Sequence, residues 1–345
     1  MKKRLTQTVR TIVFLALAFF LLWLSFRGIN FSDLLAVLRK AQYWWLLPAA
    51  IISLLSFLVR ARRWNLLIEP LGHKPGLMNA YHSVVTGYFA NLIFPRLGEV
   101  AKCASLSRKE KIPFDMLVGT MLVERTIDVL TVILILGVTL IAGSTTVGSF
   151  LSENVFDPAG DRLSSSFGSV TIFLIIFVIL ALLAIVLYIT LRKKLSQWPL
   201  LKRMYTFSDG IIDGLKSIAR LKKRWEFILL TLILWVLYLL MSYFPLLCLG
   251  ATSDLGMGAA MFILVVGSFG MAAPVQSGLG AYHWIVSRGL LVAYAIPLEE
   301  GLAYATLSHE SQMMLIALFG AISLYSLFGR KGGKILSSVV AEKEI

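Results

Sequence analysis

The residues best placed to do chemistry lie where long apolar stretches are interrupted. Asn91-Leu92-Ile93-Phe94-Pro95-Arg96-Leu97-Gly98-Glu99 sets a proline and a glycine beside a guanidinium and a carboxylate. Proline breaks a helix and frees backbone groups. A guanidinium binds phosphate through two parallel hydrogen bonds, and amides freed at a helix N-terminus add partial positive charge. Asn91, Arg96 and Glu99 therefore read as part of an anion or headgroup site, against the plainer alternative of an Arg96–Glu99 surface pair. Glu124-Arg125-Thr126-Ile127-Asp128 opens another apolar run, with Glu124 and Asp128 on one helix face. Three readings compete there: contact with a substrate, an ion pair with Arg96 or Arg63, or an interfacial pair with Arg125 reaching out to water.

A third interruption is Pro274-Val275-Gln276-Ser277-Gly278-Leu279-Gly280-Ala281-Tyr282-His283. Glycine permits positive φ or close backbone approach, so Gln276, Ser277, Gly278, Gly280, Tyr282 and His283 form a flexible polar group able to face a ligand. Helix packing is the alternative use of such glycines. His309, Glu310 and Gln312 interrupt the last apolar run, either facing inward toward a ligand or satisfying one another. Arg60, Arg62 and Arg63 read mainly as a charged flank, with Arg63 beside Trp64 also a binding candidate. The four histidines show no metal-ligand spacing, and neither a nucleophile–base signature nor a P-loop is present. The reading thus names no cofactor, no metal and no catalytic residue.

The elements that must position these residues are membrane helices. The chain is 58% hydrophobic and 15% charged over 345 residues. Its apolar runs, including Thr11 to Phe26, Met116 to Ala142, Val170 to Leu191, Phe227 to Gly250 and Gly301 to Phe328, approach or exceed the ~20 residues that span a bilayer. Hydrocarbon admits only helices and closed barrels. A net charge of +14 raises nucleic acid as a partner, but the basic residues flank apolar runs, which is a topology signal instead. Cys103 and Cys248 form no disulfide framework. The first apolar run lacks a cleavage pattern and is expected to remain as a helix.

Charge asymmetry gives an orientation. Arg192 to Arg224 holds ten basic residues against two acidic ones, whereas Ala142 to Ser169 holds Arg162 against Glu153, Asp157 and Asp161. Both termini are then expected in the cytoplasm. Gly76 to Phe94 and Met257 to Ile296 do not fit full spans and read as hairpins that return to the side they entered. The expectation is an all-α polytopic membrane protein with about six full spans and two re-entrant hairpins. The order span, hairpin, span occurs over 43–142 and again, in opposite orientation, over 227–328. Gly87-Tyr88-Phe89 before Pro95 is echoed by Gly267-Ser268-Phe269 before Pro274. Together these predict an inverted repeat with a site near the midplane. Between the copies, 192–226 is expected to be a basic amphipathic cytoplasmic linker on the membrane surface. Ser32 or Asp33 is expected to cap a short interfacial helix that ends at the aromatic anchor Tyr43-Trp44-Trp45.

Around the first interruption, Arg96 and Arg125 face Glu99, Glu124 and Asp128, two cations against three anions. On that count, Glu124→Gln should be tolerated better than Arg96→Gln, with Arg63 available to match the excess carboxylate.

These motifs resemble a known family over nearly the whole chain: the lysylphosphatidylglycerol synthase transmembrane region, similar to the flippase domain of the multiple peptide resistance factor. Arg62-Arg63-Trp64, Asn91 with Pro95-Arg96-Leu97-Gly98-Glu99, Glu124-Arg125 with Asp128, and Pro274 with Gly278-Leu279-Gly280 carry the likeness. It implies a helical flippase-like fold with re-entrant segments in a bacterial inner membrane, moving or presenting a lipid that is anionic or bears phosphate. That family usually has proline, glycine, glycine before the Leu-Gly pair and a glutamate three residues after it; here Gln276 and Ser277 stand in the first two places and His283 in the last, which removes a carboxylate from any carried-over cation or proton role. Synthesis of an aminoacyl-lipid by this chain alone is not expected. The protein partners the reading admits are a second copy of the chain or a membrane synthase.

Overall fold

The structure is a computed structural model describing residues 16, 17, 19–142 and 221–329. Every regular element among the described residues is an α- or 3-10 helix. The chain divides into two compact units, one formed by residues 1–124 with 221–345 and the other by 125–220.

In the first unit, α1 (Phe19–Phe26) meets α2 (Phe31–Lys40) at 87°, the chain turning through Gly28 at φ +83°. The residue that caps α2 is Asn30, two positions before the expected start, because its Oδ1 accepts the Ser32 amide at 3.0 Å. A 3-10 turn at Tyr43–Trp45 leads into α3 (Leu46–Ile68), followed by α4 (Leu77–Ile93), α5 (Gly98–Glu110) and α6 (Phe114–Ala142). After the undescribed segment come α7 (Arg224–Tyr243), α8 (Met257–Ala272), α9 (Ala281–Tyr294) and α10 (Leu298–Phe328). The last residues of α6, 125–142, are the described part of the second unit.

Three helical segments are long and apolar enough to cross a membrane: Tyr43–Leu71, Arg224–Cys248 and Leu298–Phe328, with the bent α1–α2 pair as a fourth if it counts as one span. Leu229, Leu232 and Val236 on α7, and Met314, Leu318 and Tyr325 on α10, are exposed. Large apolar side chains on an outer face are stable where hydrocarbon is the solvent. Val170–Leu191 and nearly all of the 192–226 linker lie outside the described residues.

Two neighbouring pairs are shorter than a span. At about 1.5 Å per residue, the 17 residues of α4 and the 16 of α8 fall short of a ~30 Å hydrocarbon layer. Each is followed by a break and a second short helix. The arms of both helix pairs close on a glycine. A Cβ on Gly87 would lie 2.8 Å from the Gly98 carbonyl oxygen, and one on Gly267 would lie 2.7 Å from the Tyr282 ring. The two glycines that resemble each other in sequence thus do the same mechanical job. Helices α3, α4, α10, α9, α8 and α7 pack each against the next, and α7 returns to α3 to close a ring. Beneath α3, α4 and α5 lies an apolar core of Ala61, Trp64, Ile68, Ala80, Val84, Cys103, Leu106, Ile112 and Leu117.

Candidate functional site

The most deeply buried charges converge on Glu124. Arg60 Nε lies 3.0 Å and Arg63 Nη2 3.1 Å from its Oε1, and Lys102 Nζ bonds its Oε2. All four side chains are at most 5% exposed. Arg60 and Arg63 are three apart on α3, so both point to one face. Arg60 also donates to the hydroxyls of Tyr88 and Tyr238, at 2.9 and 3.1 Å. The Arg63 guanidinium lies over the Phe227 ring, and the Lys102 ammonium over Trp64 at 4.2 Å. Trp64 is fixed in turn by its indole N–H donating to Thr120 at 2.9 Å. One carboxylate therefore ties α3, α5 and the start of α6 together.

This geometry corrects the charge reading. Arg60 is a buried partner of Glu124 and not part of a solvated flank. Only Arg62, about 100° per residue off that face, behaves as a flank: it pairs with Glu226 at 2.6 Å and Glu69 at 3.2 Å, one-third exposed. Of the two expected partners for Glu124, Arg63 is one and Arg96 is not. Three cations share the carboxylate that the sequence counted as an excess anion. Lys102 reads along the chain only as part of the basic cluster Arg96, Lys102, Arg108 and Lys109 that follows Gly76 to Phe94; the signal of its burial was a lysine inside the small apolar run Val100-Ala101-Lys102-Cys103-Ala104.

Arg96 sits at the break between α4 and α5 with φ +61°, a left-handed conformation that costs a non-glycine residue about 1–2 kcal/mol. Its Nη2 donates to the Ala272 carbonyl, at the end of α8, at 2.9 Å. The breaks of the two helix pairs thus touch, and α4 also packs on the Gln276–Gly278 turn. Asn91 Oδ1 accepts the Gly98 amide at 2.7 Å, so one donor at the N-terminus of α5 is already used. Glu99 lies half-buried in the first turn of α5, where the helix dipole favours a negative charge. Arg125 and Asp128 pair with each other at 3.9 Å in the second unit.

The second break is built from positive-φ residues: Ser277 at 45°, Gly278 at 76° and Gly280 at 78°. The Gly280 carbonyl accepts from Ser25 Oγ of α1 at 2.9 Å. The Tyr282 hydroxyl lies 3.2 Å from Ser308 Oγ. Gln276 is half-buried in the 3-10 turn. His309 Nε2 lies 2.8 Å from the Ser277 carbonyl oxygen, and its Nδ1 lies 3.0 Å from Glu310 Oε1. His283 Nε2 approaches the same oxygen at 3.5 Å. Hairpin closure thus unites His283, His309 and Glu310, residues whose spacing along the chain shows no motif.

The sequence-derived candidates therefore fall into separate groups. Arg63 and Glu124 share the buried cluster; Gln276, Ser277, Gly278, Gly280, Tyr282, His283 and Glu310 line the second hairpin and its neighbour α10; Arg96 joins the hairpin tips.

Two relatives match the chain, one of them named a membrane protein. The glycosyltransferase AglD of Haloferax volcanii is 22% identical over 348 residues, covering 94% of this chain and 56% of that protein. The UPF0104 membrane protein MJ1595 of Methanocaldococcus jannaschii is 27% identical over 131 residues, 37% of this chain and 38% of that one. The match thus spans just over half of the first relative and less than two-fifths of the second. No solved structure matches the chain. The lysylphosphatidylglycerol synthase TM region family matches residues 11–320. This chain is an integral membrane protein that belongs to that family.

Proposed function

We propose that the protein binds a phospholipid or lipid-linked polar headgroup and translocates it across the bacterial inner membrane, in the manner of a flippase. The α4–α5 and α8–α9 pairs act as re-entrant hairpins entering from opposite leaflets, in an inverted repeat with both termini cytoplasmic. The observation that supports this most is the tip-to-tip contact of two helix pairs too short to span, joined by Arg96 and the Ala272 carbonyl. Broken helices carry backbone polar groups to mid-membrane depth, where binding sites of inverted-repeat transporters are found. Arg96 is half of that joint and the cation nearest the break. It exchanges the carbonyl for a phosphate oxygen when a headgroup enters, an exchange of a neutral acceptor for a charged one. Asn91, Glu99 and the polar residues 276–283 line the route, and the Glu124 cluster holds the first hairpin against α3.

Native mass spectrometry of the detergent-purified protein tests the binding step. Wild type should carry a co-purified phosphate-bearing lipid, and Arg96→Ala should lose it while melting within a few degrees of wild type. Retention of the lipid by a well-folded Arg96→Ala protein would reduce the arginine to a structural link.

A second reading is favoured by the family's name, which describes the TM region of a synthase: a membrane partner of a lipid-modifying enzyme, itself without chemistry. It predicts lipid binding without translocation.

A further inference from the structure

We propose that His283, His309 and Glu310 form a binding site for a zinc-class divalent metal ion, with an open coordination position, at the root of the second hairpin.

The Ser277 carbonyl can only accept, so His309 Nε2, 2.8 Å away, must carry the N–H that donates to it. In the neutral ring Nδ1 is then a bare lone pair. It lies 3.0 Å from Glu310 Oε1, an acceptor when ionised. Two lone-pair atoms at that separation need a proton or a metal ion between them. His283 Nε2 lies 3.5 Å from the same oxygen, too far for a good hydrogen bond. A proton on His309 accounts for the first contact and leaves the second unused. A metal ion accounts for both.

The three ligand atoms lie within 4.8 Å of one another. With metal–ligand bonds of about 2.0–2.1 Å, the edge of a tetrahedron is roughly 3.4 Å, so closure needs side-chain adjustments on the order of 1 Å. Two imidazoles and a carboxylate are a donor set for zinc and its neighbours, not for magnesium or calcium. The imidazoles are 2% and 4% exposed. His283 Nδ1 has no hydrogen-bond partner, so no acceptor fixes that ring's tautomer. The Glu310 side chain is 39% exposed, which leaves the fourth position accessible to water or an anionic oxygen. The His309–Ser277 bond is the outer hydrogen bond that orients a metal-bound imidazole. Through it the metal would hold Ser277, in its strained left-handed conformation, and so fix the tip of the hairpin to α10.

The test uses the full-length, tag-free protein in detergent, stripped with a chelator and dialysed. Titration with zinc chloride should give one ion bound per chain and a raised melting temperature, which magnesium chloride does not reproduce. Cobalt(II) should give the intense visible absorption of a tetrahedral site. His283→Asn, which leaves the Ser277 bond intact, and Glu310→Gln should each weaken zinc binding by at least about tenfold, the loss that even an outer partner can cause. If His309→Ala fails to fold, the other two variants still decide the question. Zinc binding below a fifth of an equivalent, or binding unchanged in both His283→Asn and Glu310→Gln, would overturn the proposal and leave a proton-linked cluster in its place.

Discussion

Replacing Glu124 by glutamine keeps the shape of the side chain and removes a negative charge that Arg60, Arg63 and Lys102 share. Those cations are at most 5% exposed, so water cannot solvate them in place. Removing one member of a buried pair costs about 3–5 kcal/mol. Three cations contact this carboxylate, which puts the substitution at the upper end. Arg96→Gln breaks one exposed bond to a carbonyl, worth about 1 kcal/mol. On the scale of about 2–4 °C per kcal/mol for a domain of 150–250 residues, Glu124→Gln should lower the melting temperature by roughly 10–20 °C, and Arg96→Gln by roughly 2–4 °C. Fluorescence-detected thermal melting of the purified proteins in one detergent is the assay, with Glu124→Asp as a charge-retaining control of intermediate stability. A Glu124→Gln protein as stable as Arg96→Gln would refute the argument, and one more stable than Arg96→Gln would restore the ranking expected from the sequence.

Other consequences follow from the hairpins and their anchors. Gly87→Val and Gly267→Val should each force the hairpin arms apart, at about 1–3 kcal/mol, read as a matching loss of melting temperature; unchanged stability in both would remove the close approach as a constraint. The Lys102→Met, Glu124→Gln double variant should lose less stability than the sum of the two single variants, with a coupling of roughly 0.5–3 kcal/mol; strict additivity in melts would deny that they pair. Cysteines placed at Lys74 and Lys109, which flank the first hairpin, should both be labelled by an impermeant maleimide from the cytoplasmic side of inverted vesicles. The native Cys103 and Cys248 are buried and should stay silent. Labelling from opposite sides would make the first hairpin a span.

The helical class was legible because runs such as Gly301 to Phe328 exceed anything a strand can use, and α10 occupies Leu298–Phe328. The two breaks were legible because Pro95, Pro274 and the neighbouring glycines cannot continue a helix. The Glu124–Arg63 pair was among the alternatives because an isolated carboxylate in an apolar run needs a cation. Arg60 and Lys102 were not read correctly, since a count along the chain treats a basic residue near a span's end as a flank. Whether it turns inward depends on the face that neighbouring helices cover. The Asn30 cap shows the same limit on a smaller scale: an asparagine, a serine and an aspartate within four residues can each cap, and only the turn's path selects one. The His283–His309–Glu310 cluster left no local signal, because hairpin and α10 supply its members from distant positions.

The most direct test of the proposed function is transbilayer movement of a fluorescent phospholipid in liposomes, followed by reduction of the outer leaflet with dithionite, with and without an imposed proton gradient. Wild-type protein should raise the reducible fraction from about half toward all of the label, and Arg96→Ala, reconstituted at equal density and folded, should not. Liposomes containing folded wild-type protein that stay at the half-labelled plateau under both conditions would contradict translocation and leave the protein as a lipid-binding partner.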